Sequence, residues 1–189
     1  MIPHVYTIDE FFSPAEFMLL RDYAHILEYR PIESPLDHVT YPNIGLPVPP
    51  VIEERVVHAM SWVLGYRIVP KIMAFRLSPE GSNPPQWAHT DAEGSQYALF
   101  VYINPGPAAT VLLEHRATGM RVHPANEIEL EAWKRDYQDE EAWRVVGYHA
   151  GEPNRAILMR SNLMHAALPR RGYGRGPLDA RLILLCFFD

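Results

Sequence analysis

The stretch Arg181-Leu182-Ile183-Leu184-Leu185-Cys186-Phe187-Phe188 decides the fold class. After its one charged residue it is apolar without a break, and it is too short for a buried helix. It reads as a strand covered on both faces. Residues 96–104 form a second strong strand, closed by Pro105-Gly106-Pro107. Shorter strands are expected at 110–115, before the turn Ala117-Thr118-Gly119, and at 155–160. Residues 66–77 are β-rich too, with Pro70 marking an edge or an irregularity.

Upstream the period changes. Ser13-Pro14-Ala15-Glu16 is a capping box with proline at the first helical position, and Phe12 and Phe17 stand where a hydrophobic staple would place them. Phe17, Leu20, Ala24 and Leu27 continue at helical spacing until Pro31. A proline-rich loop is expected over 31–50. A second helix is expected over 51–64, with Ile52, Val56, Met60 and Val63 as its stripe and Gly65 as its cap. Residues 128–146 carry acidic residues and tryptophans at helical spacing and read as an inserted helix, with Trp133 and Trp143 on one face. The expected architecture is therefore mainly β (α+β): one domain over 1–189, with a helical buttress over 1–65. A jelly-roll core over 66–189 carries a helical insertion at about 125–150. That insertion could serve as a lid.

Composition narrows the function classes. The 189 residues carry 17 Lys+Arg against 23 Asp+Glu, a net charge of −6. A nucleic-acid binder would show a basic excess, so no nucleic-acid partner is expected. One cysteine excludes a disulfide framework and a cysteine-based zinc site. No apolar run is long enough to cross a bilayer, so no membrane partner is expected either. Met1-Ile2-Pro3-His4 does not open a leader peptide, and the expected location is cytoplasmic.

Nine histidines remain to be placed. In His89-Thr90-Asp91 the first and third side chains of an extended segment point to the same side, so an imidazole and a carboxylate converge. His165 follows the 155–160 strand, in a loop. Two histidines and one carboxylate form the facial triad of non-haem Fe(II) oxygenases, which leaves open coordination positions. Arg181 opens a buried strand, where a charge is costly unless paired, and a guanidinium suits a carboxylate. His115 reads as a solvated strand end. Arg76 reads equally as a ligand contact or a structural ion pair. Cys186 is an inert buried thiol.

Five segments together resemble the prolyl-4-hydroxylase-like Fe(II)/2-oxoglutarate dioxygenases. They are Phe75-Arg76-Leu77-Ser78-Pro79-Glu80-Gly81, Trp87-Ala88-His89-Thr90-Asp91, Phe100-Val101-Tyr102-Ile103-Asn104, Ser161-Asn162-Leu163-Met164-His165 and the Arg181–Phe188 stretch. The resemblance implies a double-stranded β-helix (jelly roll, cupin-like) with N-terminal helices packed on the sheet. It implies Fe(II) on His89, Asp91 and His165, and 2-oxoglutarate as co-substrate with O2. It puts Arg181 and Tyr102 on the distal carboxylate of 2-oxoglutarate. By strand alternation Tyr97 faces away from Tyr102. The family's Gly-Gly-Thr is Ala108-Ala109-Thr110 here. The implied reaction hydroxylates a C–H bond of a small molecule or protein side chain and releases succinate and CO2. A carboxylate at Asp91 speaks against halogenation, whose enzymes leave that position to a halide. The competing reading is a non-catalytic cupin-like metal or ligand binder, which needs no buried carboxylate clamp.

Overall fold

A computed structural model describes residues 5–36, 38–84 and 86–189. The reading of Met1-Ile2-Pro3-His4 lies outside the described residues. The element order is β1 (Val5–Ile8), α1 (Pro14–Ile26), β2 (Tyr29–Glu33), β3 (Thr40–Gly45), α2 (Pro50–Leu64), β4 (Pro70–Ser78), β5 (Tyr97–Tyr102), β6 (Ala109–His115), α3 (Glu127–Asp136), β7 (Trp143–Ala150), β8 (Ala156–Arg160), β9 (His165–Leu168) and β10 (Arg181–Phe188). The chain is mainly β, in two antiparallel sheets. The larger has the order β1-β8-β5-β10-β4-β3-β2, the smaller β7-β6-β9.

β10 lies at the centre of the larger sheet, hydrogen-bonded to β4 on one side and β5 on the other. Its alternation sorts side chains into two layers. Leu182, Leu184, Cys186 and Phe188 join the core beneath the helices. Arg181, Ile183, Leu185 and Phe187 face a cavity between the two sheets. β5 divides the same way: Tyr97, Leu99 and Val101 pack toward the helices, and Ala98, Phe100 and Tyr102 pack on the other face. Tyr97 and Tyr102 therefore stand on opposite faces.

The helices form where the sequence signals them. Ser13 Oγ accepts from Glu16 N, and Glu16 Oε2 accepts from Ser13 N, closing the box. Leu20 and Ala24 of α1 and Ile52, Val56 and Met60 of α2 are fully covered on the sheet. Gly65 takes a left-handed φ of 78° and donates its N–H to Ser61 O. That conformation suits glycine.

Three expectations change. The 31–50 stretch is not all loop, because β2 and β3 form a hairpin there and extend the larger sheet to its edge. Pro31 lies on the edge strand β2, at the register shift between Arg30 and Ile32, and Pro42 lies on β3 ahead of Ile44 and Gly45, the two residues that pair with β4, so neither proline interrupts a ladder. The insertion is helical only through Asp136; Trp143–Ala150 is β7, paired with β6. Trp143 and Trp133 therefore do not share a helix face. The insertion also braces the chain before His89, since Trp133 Nε1 donates to Ala88 O and Ala88 N to Tyr137 O. Removing 125–150 would take out a strand and this brace, not a lid alone. Finally, His165 opens β9 and does not lie in a loop.

Candidate metal and anion site

His89 and His165 face each other across an isolated β-bridge, with reciprocal N–H to C=O bonds of 3.1 and 2.9 Å. Asp91 N donates to Ser161 O, which fixes the third residue on the turn before His165. One potential ligand atom from each of His89, Asp91 and His165 lies within 4.8 Å of the others. The rings of His89 and His165 are 4.3 Å apart, and Phe100 lies 6.0 Å from His165 on the floor below.

The hydrogen bonds set the tautomers. His89 Nδ1 lies 3.0 Å from Trp87 O, and His165 Nδ1 lies 2.9 Å from Leu163 O. A carbonyl only accepts, so both Nδ1 atoms carry the proton. The two Nε2 lone pairs then face Asp91, at 3.8 Å from Oδ1 and 3.3 Å from Oδ2. Three acceptors meet with no proton between them, and Asp91 Oδ2 is a buried acceptor without a donor. A cation resolves that arrangement. Outer N–H groups held by carbonyls are also what metal-ligating histidines use to aim their inner nitrogens.

The electrostatics agree. Burial pushes the His89 imidazole down to about 4, so it is neutral at neutral pH, as a ligand must be. Burial pushes the Asp91 carboxyl up. The His165 and His89 imidazoles and the Arg76 guanidinium outweigh it and hold the carboxyl below the usual range.

Arg181 is 6% exposed, on the same cavity as the cluster. Its Nη1 donates weakly to Ser78 Oγ at 3.4 Å, its Nε has no acceptor, and no carboxylate pairs with it among the described residues. A buried guanidinium left like this is costly, and an anionic ligand would relieve it. Tyr102 is placed differently from the expectation. It is 1% exposed, and its hydroxyl is bound to Thr110 Oγ1 at 2.8 Å. Thr110, not Tyr102, lines the cavity, while Arg181 sits over the Tyr102 ring at 5.8 Å. Thr110 was missed as a site residue. The signal was alternation along β6, which turns Thr110 and Leu112 to one face and Val111 and Leu113 to the other.

The remaining candidates sort cleanly. Arg76 lines the cavity and stacks on Tyr41 at 5.1 Å. Gln86 lines the cavity as well, and Trp87 packs in a separate core with Trp143. His115 is not a solvated strand end: it is 1% exposed, bound to Asp136 Oδ2 at 2.9 Å and Thr118 Oγ1 at 3.0 Å. It ties β6 to α3. Burial pushes the Cys186 thiol up to about 12, in keeping with an inert residue.

No protein-family model matches the chain, and no curated protein does. Solved structures do. EctD from S. alaskensis with bound Fe matches at 15% identity over 98% of this chain and 72% of that one, with a TM-score of 0.55. A 2OG-Fe(II) oxygenase family oxidoreductase from Burkholderia pseudomallei matches at 12% identity over 98% and 85%, with a TM-score of 0.59. The chain has the 2OG-Fe(II) oxygenase fold. The epimerase SnoN from nogalamycin biosynthesis, in complex with Fe3+, alpha ketoglutarate and nogalamycin RO, shares this oxygenase fold with a TM-score of 0.60, at 9% identity over 98% and 78%. No helix among the described residues is long and apolar enough to cross a membrane.

Proposed function

We propose that the protein is an Fe(II)- and 2-oxoglutarate-dependent dioxygenase that hydroxylates a C–H bond of a small molecule or a protein side chain. The observation that carries this reading is the pairing of two unsatisfied groups in one cavity: three mutually facing acceptors on His89, Asp91 and His165, and the buried Arg181 guanidinium without a carboxylate. A plain cupin-like binder accounts for the first but not the second. The similar structures support the same cofactors, since SnoN was solved in complex with Fe3+ and alpha ketoglutarate. In this reading the sheets form the double-stranded β-helix of the fold, the chain is one domain, and the cytoplasm is its location.

His89, Asp91 and His165 would hold the metal through two Nε2 atoms and a carboxylate oxygen. Bound iron with 2-oxoglutarate and O2 would supply the oxidation, one oxygen atom going to succinate and the other to substrate, with CO2 released. Arg181 holds the distal carboxylate of 2-oxoglutarate, since two N–H groups of a guanidinium match two carboxylate oxygens. With Tyr102 as the donor in its 2.8 Å pair with Thr110 Oγ1, the threonine's own proton is free for the same carboxylate. Phe100, Ile183 and Leu185 floor the site with hydrocarbon and keep water from the anion.

Tyr102→Phe tests the relay. It removes one hydroxyl from a buried pair and should weaken 2-oxoglutarate binding about fivefold, from the ~1 kcal/mol of a buried hydrogen bond. The Michaelis constant for 2-oxoglutarate should rise while the turnover number holds. A fall in turnover alone would contradict the assignment.

Labelled oxygen tests the reaction. With 18O2, Fe(II) and 2-oxoglutarate, the protein should release succinate carrying one labelled oxygen, and the product should gain one oxygen in mass. Folded, cofactor-loaded protein that releases no succinate would favour the binder. An isomerised product of unchanged mass would favour the chemistry named for SnoN.

A further inference from the structure

We infer that the substrate of this site is a small molecule with a hydrocarbon body, held in an apolar chamber beyond the metal group from Arg181; the inference rests on the oxygenase reading above. The cavity measures about 460 Å³, within the range of small-molecule sites. Its floor is the inner face of β10 from Arg181 to Phe187, seven residues whose six rises span roughly 20 Å. The metal group sits well along that floor. His165 lies over Phe100, and Phe100 pairs in register with Leu185. Arg181 and Thr110 mark the anion end. On the far side of the metal group the floor is Leu185, Phe187 and Ile72, the last two paired in register.

The roof has the same character. Leu36 and Val39, from the turn between β2 and β3, line the cavity. Leu36 reaches the segment after Asp91: a Cβ on Gly94 would stand 2.6 Å from Leu36 Cδ2. The turn therefore packs on Gly94, and both sides of that contact line the cavity. A polymer threading the site would have to displace it. A compact molecule need not. The charged residues of this end are exposed at its rim and face their own partners. Lys71 pairs with Asp189 at 2.7 Å and Glu33 with His38 at 3.3 Å, and Glu93 is open to solvent. The walls thus offer dispersion and burial, and the rim offers little charge to recognise.

A neutral hydrocarbon fluorophore, N-phenyl-1-naphthylamine, probes the chamber without a known substrate. Its fluorescence should rise saturably at one site per chain. Binding should be undiminished when Mn(II) and 2-oxoglutarate are loaded, because the anion end is separate. Ile72→Glu and Leu36→Glu should each weaken it at least tenfold. Leu36 sits on a half-exposed turn, so its variant folds even if the strand variant does not. Absence of saturable binding, binding that Leu36→Glu leaves unchanged, or displacement by 2-oxoglutarate would overturn the inference. The metal-free titration reads the chamber alone. A failure of the oxygenase reading would show instead as loaded samples that bind no 2-oxoglutarate.

Discussion

Arg181→Met should weaken 2-oxoglutarate binding by roughly 30- to 4000-fold and leave metal binding intact. Removing one partner of a buried charged pair costs about 2–5 kcal/mol, at 1.4 kcal/mol per tenfold. The ligand-free protein should not be destabilised. Arg181 is buried with one long hydrogen bond and an orphaned Nε. Methionine has a similar reach and nothing to desolvate, so the melting temperature of the free variant should hold or rise. The stabilisation that 2-oxoglutarate gives the wild type should vanish at the same time. Isothermal titration in the presence of Mn(II) and a thermal melt without ligand read the two halves. If the guanidinium is a structural strut, the melt falls and the titration does not change.

The second large effect concerns the metal group. Asp91→Asn and His165→Ala should each lower Fe(II) affinity by roughly 100- to 1000-fold. Complete four-ligand metal sites contribute about 10–16 kcal/mol, so one ligand is worth on the order of 3–4 kcal/mol. Competition against a chromophoric chelator under anaerobic conditions measures it. His115→Ala is the control. His115 is as buried as His165 and carries its own carboxylate partner, Asp136, yet it stands outside the cluster. It should lose stability and keep iron. Equal iron loss in all three variants would mean general unfolding, and iron retained in Asp91→Asn would remove the carboxylate from the site.

Much of this was readable from the residues, for reasons that differ by element. β10 and β5 announced themselves because both faces are covered, so hydrocarbon runs unbroken. Alternation then separated Tyr97 from Tyr102 correctly. The cluster of His89, Asp91 and His165 was legible because an H-x-D in extended backbone converges by geometry alone, and only the partner histidine came from far along the chain. The β2–β3 hairpin was hidden by its own prolines, which resemble a loop in the sequence and are tolerated because Pro31 falls at a register shift on the edge strand and Pro42 outside the β3–β4 pairs. In the insertion the acidic and aromatic spacing of 128–136 was carried too far. Asp139 caps a 3-10 turn at Glu140–Ala142, and the β-branched pair Val145-Val146 already belongs to β7. His115 was misjudged since its partner Asp136 lies on α3, and nothing local reveals a carboxylate that tertiary packing brings. Tyr102 lies beside the cavity and not on its lining, because its hydroxyl is bound to Thr110, which local sequence does not reveal.

The central claim is that one cavity holds Fe(II) on His89, Asp91 and His165 and 2-oxoglutarate against Arg181. Its most direct measurement is the absorption spectrum of the anaerobic protein on addition of Fe(II) and 2-oxoglutarate. The account predicts a visible metal-to-ligand charge-transfer band that saturates at one equivalent of each. The band should need far more 2-oxoglutarate in Arg181→Met and be lost in His165→Ala. A folded wild-type protein that binds Fe(II) but shows no such band at saturating 2-oxoglutarate would contradict it.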